Sequence, residues 1–361
     1  MGEQRPFQTI GIIGGGQLGR MLALAAARLG HKTIVLDPAE NCPAAQVCNG
    51  HIIAAYDDTS ALYELSTCDV VTFEFENVDL EAIRALQKRS HVAPNPGALE
   101  ISQDRLTEKR FLKDAGLTTV AFENIEDAIQ LEKALGAFDG KGILKTRRFG
   151  YDGKGQISFK GRSDDPTPAN ALDQIAYAPA ILEAFVPFTS EISVIITRGT
   201  DGESVCFDPA GNVHMDGILH TSTVPAAVPH LTLQNAQAHA ERVAQALNYV
   251  GTLGLEFFVL NDGTLIANEF APRVHNSGHW TEAACTIDQF EMHIRAITGW
   301  PLPQPVRHSN AVMENLIGND IAKLATLAEL GEAKLHDYGK SEARPGRKMG
   351  HVTRLTPKNI G

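Results

Sequence analysis

Apolar residues along the chain fall into short unbroken blocks separated by amphipathic stretches, and this rhythm predicts the elements. TIGIIG (9–14) reads as a continuous apolar strand; Leu18, Met21, Leu22, Ala25 and Leu29 then recur at helical spacing up to Gly30. KTIVLD (32–37) and DVVTFEFE (69–76) are further strands. Strands apolar on both faces and joined by helices predict a buried parallel sheet, a Rossmann-like unit. APNPG (93–97) breaks the pattern and sets the first boundary. Beyond it SQDRLTEKRFLKDAG (102–116) predicts a helix with Ser102 near its N-cap and Gly116 at its end. GILKT, AILEAFV and SEISVIIT read as strands, residues 234–248 as a helix, and TLGLEFFVLNDGTLIANEF (252–270) as a hairpin. A helix over 286–298 opens with Thr286 and Gln289 at capping-box spacing and aligns Ile287, Phe290, Ile294 and Ile297. GWPLPQP (299–305) reads as a linker to a small β-rich unit. The expected class is a multidomain α/β and α+β protein with units over 1–100, 101–299 and 300–361.

Three motifs on this frame suggest chemistry. In IGIIGGGQLGRM, Gly14, Gly16 and Gly19 match G-x-G-x-x-G and Asp37 closes the next strand, the fingerprint of a nicotinamide-dinucleotide site. A tight strand-to-helix turn without ligand explains the same residues, and Pro38 constrains the chain where a cofactor ribose would lie. RRFGYDGKG (147–155) offers amides at Gly150, Gly153 and Gly155 and a basic flank of Arg147, Arg148 and Lys154, with Lys145 on the strand before it. It suits a polyphosphate without being a Walker loop; an exposed hairpin loop is the bland alternative. The hairpin is more informative. With Asp262-Gly263 as a two-residue loop, Asn261 pairs with Thr264 and Glu256 falls opposite Glu269, Cβ atoms roughly 5 Å apart. Two carboxylates facing each other among apolar neighbours call for a cation, and Mg²⁺, usually held by one or two carboxylates plus substrate phosphates, fits. A register one residue off would dissolve that pair. Arg273, His275, Asn276 and His279 crowd the next loop, where substrate contact is favoured over zinc because H-E-x-x-H is absent.

Composition narrows the classes. The net charge of −11 argues against a nucleic-acid partner. Five cysteines without a C-x-x-C pair predict reduced thiols and a cytoplasmic setting. No stretch of about 18 apolar residues predicts a membrane span.

GGGQLGRM, SQDRLTEK, FGYDGKG, EISVI, NEFAPRVHNSGHW and RPGRKMGH occur in that order, and the set resembles the 5-(carboxyamino)imidazole ribonucleotide synthase family of the ATP-grasp superfamily. The resemblance implies a Rossmann-like pre-ATP-grasp domain, a central ATP-grasp domain and a small β-rich C-terminal domain, with no nicotinamide bound. It implies ATP-dependent carboxylation of 5-aminoimidazole ribonucleotide by bicarbonate, via carboxyphosphate, in purine synthesis; another ATP-grasp ligase with a different acceptor is the alternative. By matching positions, ATP would contact Arg105, Lys145, Gly150, Tyr151, Asp152, Gly153, Lys154, Gly155, Gln156, Glu191, His214, Asn268 and Glu269. Glu183, Ala184, Phe185 and Val186 would form the adenine hinge. Glu256 and Glu269 would hold Mg²⁺, although Ala271 replaces the asparagine that many relatives carry. Gly16, Gln17, Leu18, Glu76, Tyr151, Asp152, Arg273, His275, Asn276, Lys340 and Arg347 would meet the ribonucleotide. Among them Lys340 and Arg347 would clamp its 5′-phosphate, Arg273 would neutralise carboxyphosphate, and Asp152 would take the amine proton. A homodimer is the family expectation.

Overall fold

A computed structural model describes residues 7–150, 155–331 and 333–358. Five parallel strands form the first sheet: β1 (Thr9–Ile13), β2 (Lys32–Leu36), β3 (Gly50–Ile52), β4 (Val70–Phe73) and β5 (His91–Val92), in the order β3-β2-β1-β4-β5. Ile10, Ile12, Val35 and Val70 are buried on one face and Ile13, Leu36, Val71 and Phe73 on the other, so these strands read as unbroken apolar runs. The helix Gln17–Arg28 fills one face through Met21, Leu22 and Ala25, which share a core with Phe290, Ile294 and Ile297 of a later helix. The first unit is thereby welded to the centre of the molecule.

The second sheet is antiparallel: β6 (Phe122–Ile125), β7 (Lys141–Thr146), β8 (Gln156–Lys160) and β9 (Ala180–Ala184), in the order β6-β9-β7-β8. The third holds β10 (Ser190–Arg198), β11 (Ser204–Cys206), β12 (Ala210–Met215), β13 (Ile218–Val224), β14 (Gly251–Val259), β15 (Leu265–Ala271), β16 (Ser309–Ile317), β17 (Ala333–Asp337) and β18 (Lys348–Pro357). Its order is β15-β14-β10-β12-β13-β16-β18-β17, with β11 on β10. The last three strands therefore extend the central sheet through the β13–β16 pairing rather than forming a sheet of their own.

Four local expectations are corrected. The helix expected over 102–116 is Arg105–Asp114; Ser102 ends a separate helix, Pro96–Ser102, and Asp104 caps the second by accepting from the amides of Leu106 and Thr107. The helix expected at 286–298 is Gln289–Ile297, capped by Asp288, whose shorter carboxylate reaches the amides of Phe290 and Glu291. Gln289 is instead buried, donating to the carbonyl of His275 at 2.7 Å. The helix placed at 234–248 is His230–Ala246. The hairpin loop has three residues, not two. Leu260 donates to Thr264 O, Gly263 donates to Leu260 O and sits at φ +85°, and Asp262 Oδ1 takes the amide of Thr264. That is a turn with a glycine bulge, which only a residue tolerant of positive φ completes.

Candidate active site

The hairpin error is cancelled four residues later. Pairing runs Val259 with Leu265 to Phe257 with Ala267, then resumes at Leu255 with Phe270, so Asn268 and Glu269 together face the single residue Glu256. A bulge leaves backbone groups without ladder partners. Here the helix Arg105–Asp114 supplies them: Lys109 Nζ donates to Asn268 O at 2.7 Å, and Glu108 Oε1 accepts from Phe270 N at 2.7 Å. Arg105 Nη1 pairs with Glu269 Oε2 at 2.9 Å, and its Nη2 donates to Gly150 O at 3.3 Å. One helix thus holds the bulge and the start of the glycine loop together.

Charges are concentrated around that bulge. Lys145 on β7 reaches Glu183 on β9 at 2.6 Å, and Lys109 stands 3.3 Å from the other oxygen of Glu183. Burial opposes the charge on Glu183, but Lys109 and Lys145 prevail and hold its carboxyl down to about 2. Burial lowers the Lys145 ammonium. Burial, then Glu269, push Glu256 upward, whereas Arg105 overcomes burial and holds Glu269 ionised. Burial and Glu269 also raise Glu108, to about 8. Asn268 Oδ1 is buried without a partner. Two adjacent, partly exposed carboxylates and an unused amide oxygen form an oxygen-rich set that suits Mg²⁺. Glu191 and His214 lie 2.9 Å apart beside this group, and Phe185, past the end of β9, is exposed.

A second cluster lies at the carboxyl ends of the parallel strands, where open α/β sheets place ligands. After β1, Gly15 N donates to Asp37 at 2.7 Å, Gly16 N to Glu74 at 2.5 Å and Gly19 N to Glu74 at 2.7 Å. The chain's own carboxylates occupy the amides that a dinucleotide pyrophosphate would need, and a Cβ at Gly16 would lie 2.4 Å from Glu74. Arg273 grips Glu76 with two nitrogens, its Nη2 at 3.0 Å. Lys340 donates to Lys348 O at 2.6 Å, and burial, then Arg347, lower its ammonium to about 8. Arg347 Nη1 donates to Glu342 O. Glu74 acts electrostatically on both Lys340 and Arg273, and Glu269 on both Glu76 and Arg273. Glu269 thus acts electrostatically on both clusters.

Some expected contacts are spent within the protein. The side chain of Leu18 lies in the core with Met21, while Gln17 opens the helix half-buried. The Asn276 amide exchanges two hydrogen bonds with Asn315 of β16. His275 stands 3.6 Å from Glu256, and burial and Arg273 keep it neutral, with a pKa of about 3. Gly155 (φ +68°) and Gln156 follow the glycine loop, Gln156 pairing with Lys145. Tyr151, Asp152, Gly153 and Lys154 lie outside the described residues.

Comparison with known proteins agrees with this layout. The ribonucleotide synthetase preATP-grasp domain matches residues 7–103, the ATP-grasp domain 110–290, and the phosphoribosylaminoimidazole carboxylase C-terminal domain 311–359. An N5-carboxyaminoimidazole ribonucleotide synthase of Brucella melitensis is 58% identical over 357 residues, covering 99% of this chain and 98% of that protein. The chain belongs to the N5-carboxyaminoimidazole ribonucleotide synthase family. Two solved N5-carboxyaminoimidazole ribonucleotide synthases extend the match. The Staphylococcus aureus enzyme complexed with ADP is 38% identical, with TM-score 0.93 and coverage of 99% of this chain and 95% of that one. The Aspergillus clavatus enzyme in complex with ADP and 5-aminoimidazole ribonucleotide is 30% identical, with TM-score 0.89 and coverage of 98% and 95%. Membership of the N5-carboxyaminoimidazole ribonucleotide synthase family makes the chain an ATP-dependent ligase on the ATP-grasp fold.

Glu74, Glu108 and Lys109 escaped the sequence reading. Each acts on backbone groups of a distant segment, which no local pattern reveals. The one available signal was Glu108-Lys109 on an otherwise amphipathic helix, two charges that pattern alone assigns to solvent yet that are 3% and 1% exposed.

Proposed function

We propose that the chain carries out the reaction of its family, joining bicarbonate to 5-aminoimidazole ribonucleotide with conversion of ATP to ADP and phosphate, and that the two linked clusters divide the work. The carrying observation is Glu269, which is held ionised by Arg105 on the β7–β9 side and acts on Arg273 and Glu76 on the other. A γ-phosphoryl bound near Lys145 would then lie next to the ribonucleotide side of the cleft.

In this reading bicarbonate oxygen attacks the γ-phosphorus and the bond to the β-phosphate oxygen breaks, giving ADP and carboxyphosphate. The exocyclic amine attacks the carboxyl carbon, phosphate leaves, and the amine proton passes to Asp152. Lys145 supplies a charge that burial makes effective against phosphate oxygens. Glu256 and Glu269, with Asn268 Oδ1, would hold Mg²⁺, which neutralises phosphate charge when bound. Arg273 faces carboxyphosphate, and Lys340 and Arg347 take the 5′-phosphate, the arginine as a planar fork and the lysine as a point charge. Positioning and charge neutralisation, not covalent catalysis, supply the rate. A cytoplasmic homodimer completes the reading. Among the described residues no helix is long and apolar enough to cross a membrane, and all five cysteines are free.

Coupled ADP release tests it. ADP should form only with bicarbonate present, and fastest with 5-aminoimidazole ribonucleotide; equal or faster release with another amine acceptor overturns the assignment.

A further inference from the structure

Where the β17–β18 hairpin meets the short helix Thr281–Ala284, three side chains converge that the reaction does not use. His336 and His351 are direct cross-strand partners with rings stacked at 4.9 Å. Glu282, on the short helix Thr281–Ala284, points one oxygen at both: Oε2 lies 3.2 Å from His336 Nδ1 and 3.9 Å from His351 Nε2. The three ligand atoms lie within 4.8 Å of one another. They border a cleft of about 180 Å³ lined also by Arg28, His279 and Lys334. Arg28 is committed to Asp288 at 2.5 Å, and Lys334 is exposed.

We propose that Glu282, His336 and His351 form a binding site for a borderline divalent transition metal of the Zn²⁺ class. Two imidazole nitrogens and one carboxylate oxygen match that class, whereas Mg²⁺ and Ca²⁺ prefer oxygen ligands alone. The outer shell is already built. Tyr338, fully buried, meets His351 Nδ1 through its hydroxyl at 2.9 Å. The tautomer that donates Nδ1–H to that hydroxyl would turn the lone pair of Nε2 toward Glu282, as a metal ligand needs. Three protein ligands leave a fourth position for water or an anion.

His279 independently points to an occupant. Gln289 has its amide orientation set by His275, whose N–H donates to Oε1 at 2.9 Å and whose carbonyl accepts from Nε2 at 2.7 Å. Gln289 Nε2 then donates to His279 Nδ1 at 3.2 Å, so the neutral ring carries its proton on Nε2. That N–H is buried with no acceptor, and His279 lines the same cleft, with its ring 4.9 Å from that of His351. A metal-bound water or anion would supply the missing acceptor. The site is structural: it pins the hairpin whose loop carries Lys340 and Arg347 to the helix that follows the Arg273–His279 loop.

The test is titration of the metal-free full chain with Zn²⁺, and with Co²⁺ to read its visible absorption, in excess Mg²⁺. One Zn²⁺ per chain should bind and raise the melting temperature. His336→Ala and His336→Gln should each weaken Zn²⁺ binding by roughly tenfold or more while melting like the wild type in chelator. Glu256→Gln, at the nucleotide-side carboxylates, should bind Zn²⁺ as the wild type does. The absence of stoichiometric Zn²⁺ binding, binding unchanged in both His336 variants, or binding lost in Glu256→Gln would each overturn the proposal.

Discussion

Replacing Lys109 by Met keeps the length and apolar stem of a side chain that is 1% exposed, and removes only its charge. Two partners lose it. Asn268 O, the bulge carbonyl, loses a donor at 2.7 Å, and Glu183 keeps only Lys145 at 2.6 Å. The Glu183 carboxyl falls from 4.5 to about 2 because the two lysines outweigh burial, Lys109 through its charge and Lys145 through its charge and a hydrogen bond. That fall corresponds to roughly 3 kcal/mol. Losing one of the two cations forfeits about half, roughly 2 kcal/mol, and an unsatisfied carbonyl costs about 1–3 kcal/mol. The sum, about 3–5 kcal/mol, matches the range for breaking a buried ion pair. Equilibrium urea unfolding at pH 7, with the slope checked against the wild type, measures it. The sign of the pH dependence follows. A carboxyl depressed in the folded state contributes fully above its unfolded value of 4.5 and loses that contribution as pH falls toward 2. The gap between wild type and Lys109→Met should therefore narrow below pH 4.5. A loss under about 1 kcal/mol at pH 7, or a gap that widens on acidification, would refute the idea that Lys109 holds the bulge.

Glu256→Gln and Glu269→Gln should each abolish Mg²⁺-dependent ADP formation while leaving far-ultraviolet circular dichroism unchanged, since the isosteric amide keeps the side chain's shape and an oxygen acceptor, for Arg105 in the case of Glu269. Lys340→Ala should raise the KM for 5-aminoimidazole ribonucleotide roughly ten- to a hundredfold and barely move that for ATP. Because Lys340 loses its proton near pH 8, the wild-type KM for the ribonucleotide should climb above that pH, a rise that Lys340→Arg should abolish. Burial keeps His275 and His293 neutral to about pH 3, whereas unfolded histidines protonate near 6.5. Between those values each should cost roughly 1.4 kcal/mol of stability per unit of acidification; urea midpoints at pH 6 and 5 that do not differ would contradict their burial as neutral rings.

What the sequence determined by itself was whatever depends on neighbours in the chain. Unbroken apolar runs in β1, β2 and β4 require burial on both faces and hence a parallel sheet; the glycine loops and the apolar hairpin around Glu256 and Glu269 follow from φ restrictions and period-two patterning. Even so, the facing of those two acids rested on a loop one residue too short and was recovered by a bulge that no local rule predicts. Competing caps show the same limit: Asp104 and Asp288 displaced Ser102 and the Thr286–Gln289 pair because cap geometry depends on where the preceding chain enters. Only the tertiary structure decided which polar groups serve the backbone. Glu74 sits on the glycine-loop amides, Glu108 and Lys109 on the bulge, and Asn276 on Asn315. Each of those pairings spans at least 39 residues. The physical reason is that a buried N–H or C=O must find a partner wherever the fold offers one, so a charged side chain that looks solvated in the sequence becomes structural once a distant strand leaves a group unpaired.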